Sequence, residues 1–225
     1  MKPLVSIIIP VKNGSNFLQE ALNHIKRQQV DTEIIVINDA STDNTAEIAA
    51  ANGCIVINHK VCKGQVAAKN TGVHKAKGTY IMFHDHDDMM RDGALKGLLE
   101  AMDAETTAVM GMVKDFYTSG LTEEQKHRSP IKAEPYHGLF TGAVLTRREA
   151  FEIIGDFSES INAGEIMEWE HRLSQNGLII KKVDLVTCDR RIHATNYGKT
   201  NREKEFRDYA AVLRARILNA RQCAK

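Results

Sequence analysis

The sequence predicts an α/β fold in which a mostly parallel sheet is covered by helices on both faces. Three observations carry this expectation. Short β-branched runs alternate with helical patterns through the first half of the chain. Each run is apolar throughout, as in strands buried on both faces. No internal repeat or low-complexity linker divides the chain, so a single domain over residues 1–225 is expected.

Taken in order, Leu4–Ile9 (LVSIII), closed by Pro10, reads as a buried strand. Lys12-Asn13-Gly14-Ser15 is a turn, with Ser15 placed to cap a helix carrying Phe17, Leu18, Ala21, Leu22 and Ile25 at helical spacing. Glu33–Asn38 (EIIVIN) is a second strand. Ser41-Thr42-Asp43-Asn44 caps a short helix, Ala46–Ala51, which ends at Gly53. Cys54–Asn58 is a third strand, Val66–Ala76 a helix interrupted by Gly72, and Thr79–His84 (TYIMFH) a fourth strand. The second half is less regular. Ala94–Met102 reads as a helix, Ala108–Val113 as a strand and the polar Thr118–Pro135 as a mobile loop or lid. Thr146–Ile154 and Ile166–Gln175 read as helices and Leu178–Val183 as a strand. From Arg202, Phe206, Ala210, Leu213 and Ile217 share one face of a C-terminal helix whose other face carries Arg207, Arg214, Arg216 and Arg221. Parallel sheets bind ligands beyond the carboxyl ends of their strands. The segments to inspect are therefore 10–15, 38–45, 60–65 and 85–91.

The 225 residues hold 30 Lys+Arg against 29 Asp+Glu, a formal net charge of +1. This balance disfavours nucleic acid as partner, because phosphate backbones recruit basic domains. A 43% hydrophobic composition excludes a disordered chain. No apolar run approaches the roughly 20 residues of a membrane span, and the first lies too close to Met1 for a secretory signal. The four cysteines, Cys54, Cys62, Cys188 and Cys223, show neither CxxC pairing nor zinc spacing, which reads as reduced thiols of a cytoplasmic protein.

His84-Asp85-His86-Asp87-Asp88 is the most informative segment. Three carboxylates in four residues repel one another unless a cation or dense hydrogen bonding compensates. Such a cluster suits a hard divalent ion, Mg²⁺ or Mn²⁺, that completes its shell with water and substrate phosphate. The histidines also admit Zn²⁺, although no tetrahedral Cys/His set accompanies them. The alternative is a solvated turn capping the helix that starts near Asp92. Asp39, at the end of the second strand, is either an Asx turn or a ligand for a base or ribose.

Together these segments resemble the inverting family 2 glycosyltransferases of GT-A, Rossmann-like fold. Val5–Asn13 (VSIIIPVKN), Ile35–Thr45 (IVINDASTDNT) and Gly64–Asp88 (GQVAAKNTGVHKAKGTYIMFHDHDD) are similar to three spaced family motifs covering about the first hundred residues. The resemblance implies a nucleotide-sugar-binding half over 1–103, an acceptor-binding half over 104–201 and a C-terminal helix over 202–225. It also implies that Pro10, Val11, Lys12 and Asn13 lie along the nucleotide and that Asp39 contacts the base, usually uracil. Gly64 would belong to the same donor site, and Lys69 stands where the family usually has Arg, near base or phosphates. Asp85-His86-Asp87 matches the DxD motif: Asp85 faces ribose and metal waters, and Asp87 ligates Mn²⁺ or Mg²⁺. Gly142 lies near the donor sugar. RRIHATN, residues 190–196, resembles an RxHxxN element whose histidine, His193, approaches the metal or diphosphate.

One departure bears on catalysis. The family's general base falls at Ile166, which cannot accept a proton. Glu165 and Glu168, three residues apart on one helical side, are the candidate bases, with the charged helix N-terminus as the alternative reading. The resemblance therefore implies transfer from a nucleotide-diphospho sugar, a UDP-sugar, to an unidentified glycan, peptide or lipid-linked acceptor. The alternative is a catalytically degenerate nucleotide-sugar-binding module. The basic C-terminal helix leaves peripheral contact with anionic lipid open, although its Ala-containing face favours packing on the domain.

Overall fold

The computed structural model describes residues 2–138, 140–161, 164–196 and 207–214. Alternation builds the first half: β1 (Val5–Val11), α1 (Leu18–Lys26), β2 (Thr32–Asn38), α2 (Thr45–Ala51), β3 (Ile55–Asn58), α3 (Gln65–Lys75) and β4 (Tyr80–Phe83). The remainder adds β5 (Met89–Met90), α4 (Ala94–Glu100), β6 (Thr106–Tyr117), α5 (Glu123–His127), a 3-10 turn (Thr141–Ala143), β7 (Val144–Arg147), α6 (Glu149–Ile154), α7 (Glu165–Gln175) and β8 (Ile179–Ile192). One sheet of order β3-β2-β1-β4-β7-β6-β8-β5 carries them all. β3, β2, β1 and β4 are mutually parallel, while β7 runs antiparallel to both β4 and β6. β8 runs parallel to β6 and antiparallel to β5.

The two faces of β1 divide the core. Val5, Ile7, Ile9 and Val11 meet Leu18, Leu22 and Ile25 of α1 and Leu95 and Leu98 of α4. Ile8 turns the other way, into a cluster with Val66 and Val73 of α3, Phe151 of α6, and Ile166, Trp169 and Leu173 of α7. This follows from side chains alternating along a strand and is why β1 must be apolar on both faces.

Several expectations need correction. β1 runs through Pro10 to Val11, because the ladder to β4 has already ended at the Ile8–Phe83 pair and Pro10 owes no N–H on that side. β3 is an edge strand with Ile55 45% exposed, so the third run is not buried on both faces. Ser15 does not cap α1: Phe17 holds that position without a side-chain bond. The expected helix from Thr146 begins only at Glu149, because Val144–Arg147 pairs with both β4 and β6. The strand over Leu178–Val183 extends to Ile192, its charged residues standing on a partly exposed surface. The expected loop at 118–135 contains α5, started by a Thr122–Gln125 capping box.

Residues 207–214 are helical, but Val212 is the buried residue and Leu213 is 48% exposed. The face that packs is set by Tyr209 and Val212 against Gly164, not by the Ala210–Leu213 stripe. Phe206, Ile217, Arg216, Arg221 and Cys223 lie outside the described residues. Among the described residues no helix is long and apolar enough to cross a membrane.

Gly72 does not interrupt α3. It lets the helix lie against β1, since a Cβ there would fall 2.3 Å from Ile8 Cγ2. Helix propensity alone predicts that Gly72→Ala stabilises by about 1 kcal/mol. Contact with a fully buried central-strand Ile8 reverses the sign. The expected outcome is a loss of about 1–3 kcal/mol, read from urea denaturation midpoints.

Candidate active site

The turns after the parallel strands converge at one sheet edge, and the chain stitches them together locally. Asn13 donates its N–H to Ser41 Oγ at 2.9 Å and accepts Thr42 N–H at 2.8 Å. Gly14 N–H reaches Thr45 Oγ1, and Ser15 N–H reaches Asp43. Burial pushes the Asp43 carboxyl up, but bonds from Thr45 and Ser15 outweigh it and hold it at about 2. These bonds fasten the segment that includes Pro10, Val11 and Lys12 to the turn after β2. A Cβ at Gly14 would lie 2.6 Å from His86, so the acidic turn closes over this strap.

Asp39 is 4% exposed and its carboxylate is fully engaged by the chain. Oδ1 accepts from His59 Nδ1 at 2.7 Å and Lys63 N–H at 2.8 Å. Oδ2 accepts from Cys62 Sγ–H at 3.2 Å and Gly64 N–H at 2.8 Å. Burial raises this carboxyl, yet the four donors prevail and hold it below its ordinary value. The structure thus brings Asp39 and Gly64 together, with Asp39 anchoring the 59–64 loop.

At the end of β4, burial pushes Asp85 up, an effect that Lys69 opposes. Asp85 accepts one long bond, from Gln65 Nε2 at 3.3 Å. In Asp87, burial is outweighed by the hydrogen bond from His193, which holds the carboxyl low. Burial and its two acidic neighbours drive Asp88 well above the usual range, and it accepts Arg191 N–H at 2.8 Å. His84 beneath them is wholly buried and held to about 4, hence neutral, by burial. It donates from Nε2 to Asp88 O, leaving Nδ1 without a partner among the described residues.

His193 approaches Asp87 directly. Nε2 donates to Asp87 Oδ2 at 2.8 Å, while Nδ1 lies 3.0 Å from Thr195 Oγ1. Asn196 braces both, accepting His193 N–H at 2.6 Å and donating to Asp87 Oδ2 at 3.3 Å. Asp85 and Asp87, partly buried on one strand-end turn, offer hard oxygen donors that fit Mg²⁺ or Mn²⁺ sharing its shell with phosphate. Among the described residues no group of three His, Cys, Asp or Glu closes on one point, so the arrangement does not resemble a zinc cage.

Lys69 is 1% exposed. Its Nζ donates to Glu165 Oε1 at 2.6 Å and to Thr141 Oγ1 at 3.0 Å. It therefore joins the two candidate halves, with Gly142 one residue beyond Thr141. Glu165 and Glu168 part company here. Glu168 makes a two-pronged pair with Arg172 at 2.7 and 2.9 Å, and Arg172 in turn clamps the carbonyls of Ile154 and Asp156. Glu165 alone belongs to the network reaching Asp85. Ile166 is 7% exposed and packs into the aromatic core, beside Phe151, Phe157 and Trp169.

Sequence reasoning missed Thr141, His59, Asn196 and Arg191. Asn196 and Arg191 stood in the quoted RxHxxN pattern and could have been found there. Thr141 and His59 carry no local signal.

The open sheet, with carboxylates gathered after β4 and the buried Lys69–Glu165 pair facing them, matches the GT-A fold of solved glycosyltransferases. A model of the family described as Glycosyl transferase family 2 matches residues 6–161. The chain belongs to that family. It is 36% identical over 116 residues to the "Uncharacterized glycosyltransferase EpsJ" of Bacillus subtilis, covering 49% of this chain and 34% of that one. It is 26% identical over 202 residues to "Glycosyltransferase AglE" of Haloferax volcanii, covering 83% of this chain and 66% of that one. The chain thus spans about a third of EpsJ and two thirds of AglE. Among solved structures it resembles the mannosyltransferase PcManGT of Pyrobaculum calidifontis, in complex with GDP-Man and Mn²⁺. That match has a TM-score of 0.73 at 18% identity, covering 95% of this chain and 65% of that one. S. aureus TarS 1-349, in complex with UDP-GlcNAc, gives 0.67 at 20% identity, covering 86% of this chain and 60% of that one.

The Lys69–Glu165 pair is buried, with side chains 2% and 11% exposed. Lys69→Met leaves a buried carboxylate uncompensated, and the expected loss is about 3–5 kcal/mol. Adding Glu165→Gln should recover much of it, which a double-mutant denaturation cycle measures.

Proposed function

We propose that the chain is a metal-dependent, inverting glycosyltransferase that moves a sugar from a nucleotide-diphospho sugar, a UDP-sugar, to an unidentified glycan, peptide or lipid-linked acceptor. The observation that carries this reading is the Lys69–Glu165–Thr141 network. It holds a carboxylate, 8% exposed, between the acidic turn and the Gly142 segment. Inversion needs a base on the acceptor side, opposite the departing diphosphate. Glu165 is that base. Lys69 fixes Oε1, which leaves Oε2 to take the acceptor proton.

Asp87, with His193 beside it, would hold Mn²⁺ or Mg²⁺, and Asp85 would face the ribose and the metal waters; the ion when bound would neutralise charge growing on the leaving diphosphate. His193 delivers its Nε2–H to the same edge and, with Asp87, orders it. The 10–15 strap and the 59–64 loop anchored by Asp39 line the nucleotide. GDP-Man in one structural neighbour and UDP-GlcNAc in another support a nucleotide-sugar donor.

A thermal-shift screen of UDP- and GDP-sugars with and without Mn²⁺ names the base and tests the metal. Asp87→Ala should abolish the Mn²⁺-dependent shift and donor turnover together, and full activity in that variant would sink the proposal. Glu165→Gln should retain the shift but lower kcat by roughly 10²–10⁴-fold. A wild-type chain that binds donor yet neither hydrolyses nor transfers it is instead a degenerate binding module.

A further inference from the structure

Arg190 and Arg191 are neighbours in opposite circumstances. Arg191 is anchored through its backbone N–H and two of its guanidinium donors. Its N–H goes to Asp88, its Nε to Asp87 O at 2.8 Å and its Nη2 to Glu20 at 2.5 Å, and its guanidinium lies between Phe17 and Phe116. Arg190 turns to the other face of β8, as strand alternation requires. Among the described residues its guanidinium makes one long hydrogen bond, from Nη1 to Tyr136 Oη at 3.4 Å. Its ion pair with Asp115 spans 3.6 Å, and its side chain is 40% exposed. A guanidinium carries five N–H donors, so most of these are unspent.

The surroundings are fixed and aromatic. Tyr136 bridges Val113 through N–H···O bonds in both directions, at 2.9 and 3.0 Å, and donates its phenol to buried Asp115 at 3.1 Å. The Phe140 ring lies under Arg190, 5.9 Å from the guanidinium carbon. Gly142 admits that ring, since a Cβ there would sit 2.5 Å from Phe140 Cε1. Lys132 Nζ stands 3.9 Å from the centre of the Tyr136 ring, with no hydrogen bond or ion pair among the described residues. Phe140 immediately precedes Thr141, the partner of the Lys69–Glu165 pair.

We infer that Phe140, Tyr136, Arg190 and Lys132 form an acceptor subsite for a saccharide bearing an anionic group, phosphate or carboxylate. The inference rests on the transferase reading above. Aromatic faces take the apolar face of a sugar ring, and an under-bonded guanidinium beside a lysine takes an anion. Asp115 and Asp88 both act on Arg190, but Asp115 is 6% exposed and tied to Tyr136 and Asp88 is buried and bonded to Arg191 N–H, so Lys132 leaves the surface positive, with Glu134 the nearest acid in sequence. The donor diphosphate is the less favoured ligand. The Asp87–His193 edge lies on the Arg191 side, where Phe17 packs against both Arg191 and His193.

The test is an NMR titration of the full chain, saturated with UDP and Mn²⁺, using methyl glucoside, glucuronic acid and glucose 6-phosphate. The anionic sugars should bind about tenfold more tightly than the neutral one, and their ranking separates carboxylate from phosphate. Arg190→Gln and Lys132→Gln should each weaken the anionic sugars by about three- to tenfold and leave UDP affinity unchanged. Lys132→Gln removes no hydrogen bond or ion pair of the described fold, so it keeps the test valid if Arg190→Gln unfolds. Equal binding of all three sugars, or variants that weaken UDP instead, overturns the subsite. Failure of both UDP and GDP to bind the wild-type chain overturns the transferase reading itself.

Discussion

Three carboxylates within four residues, at the end of a buried strand, impose the condition that the rest of the site satisfies. Their mutual repulsion grows as water is withdrawn, and burial raises Asp85 and Asp88. Compensation arrives from separate elements. Lys69 comes from α3, and Arg191 with His193 from the end of β8. Each crosses from a distant part of the chain, which is why the sheet must bring β8 alongside the β4 turn. The two-residue β5 performs that task through its pairing with Cys188 and Asp189.

The same condition explains how the candidate halves are joined. Lys69 neutralises Glu165 while its charge reaches Asp85, so one buried cation serves both carboxylates. Ile166 meanwhile extends the core stripe of Trp169 and Leu173. On a helix, consecutive residues point about 100° apart, so an inward Ile166 turns Glu165 to the flank where Lys69 waits. Glu168 cannot share that role because Arg172 takes both its oxygens to clamp the approach to α7.

The first half was legible because its information is local. A β-branched run, a capping cluster or an acidic turn is written in consecutive residues and read by periodicity. The second half resisted because its strands are mixed. β7 is four residues long and ends in Thr146 and Arg147, which read as the start of a helix. β8 carries Lys181, Lys182, Asp184, Asp189 and Arg190, and no apolar run marks a strand whose faces are partly exposed. Gly72 read as a helix breaker, since its need is a contact with Ile8 on another element.

The sequence by itself determined the class of fold, the edge where the strand-end turns converge and the acidic turn there. All three follow from short-range pattern and from the chemistry of adjacent side chains. Only the tertiary structure decided the partners. It closed Asp39 onto the 59–64 loop, paired Asp87 with His193, and gave Lys69 to Glu165 rather than Glu168. Those choices span 25 to 106 residues of chain. At that separation a side chain's neighbour is fixed by strand order and helix rotation, which no local spacing records.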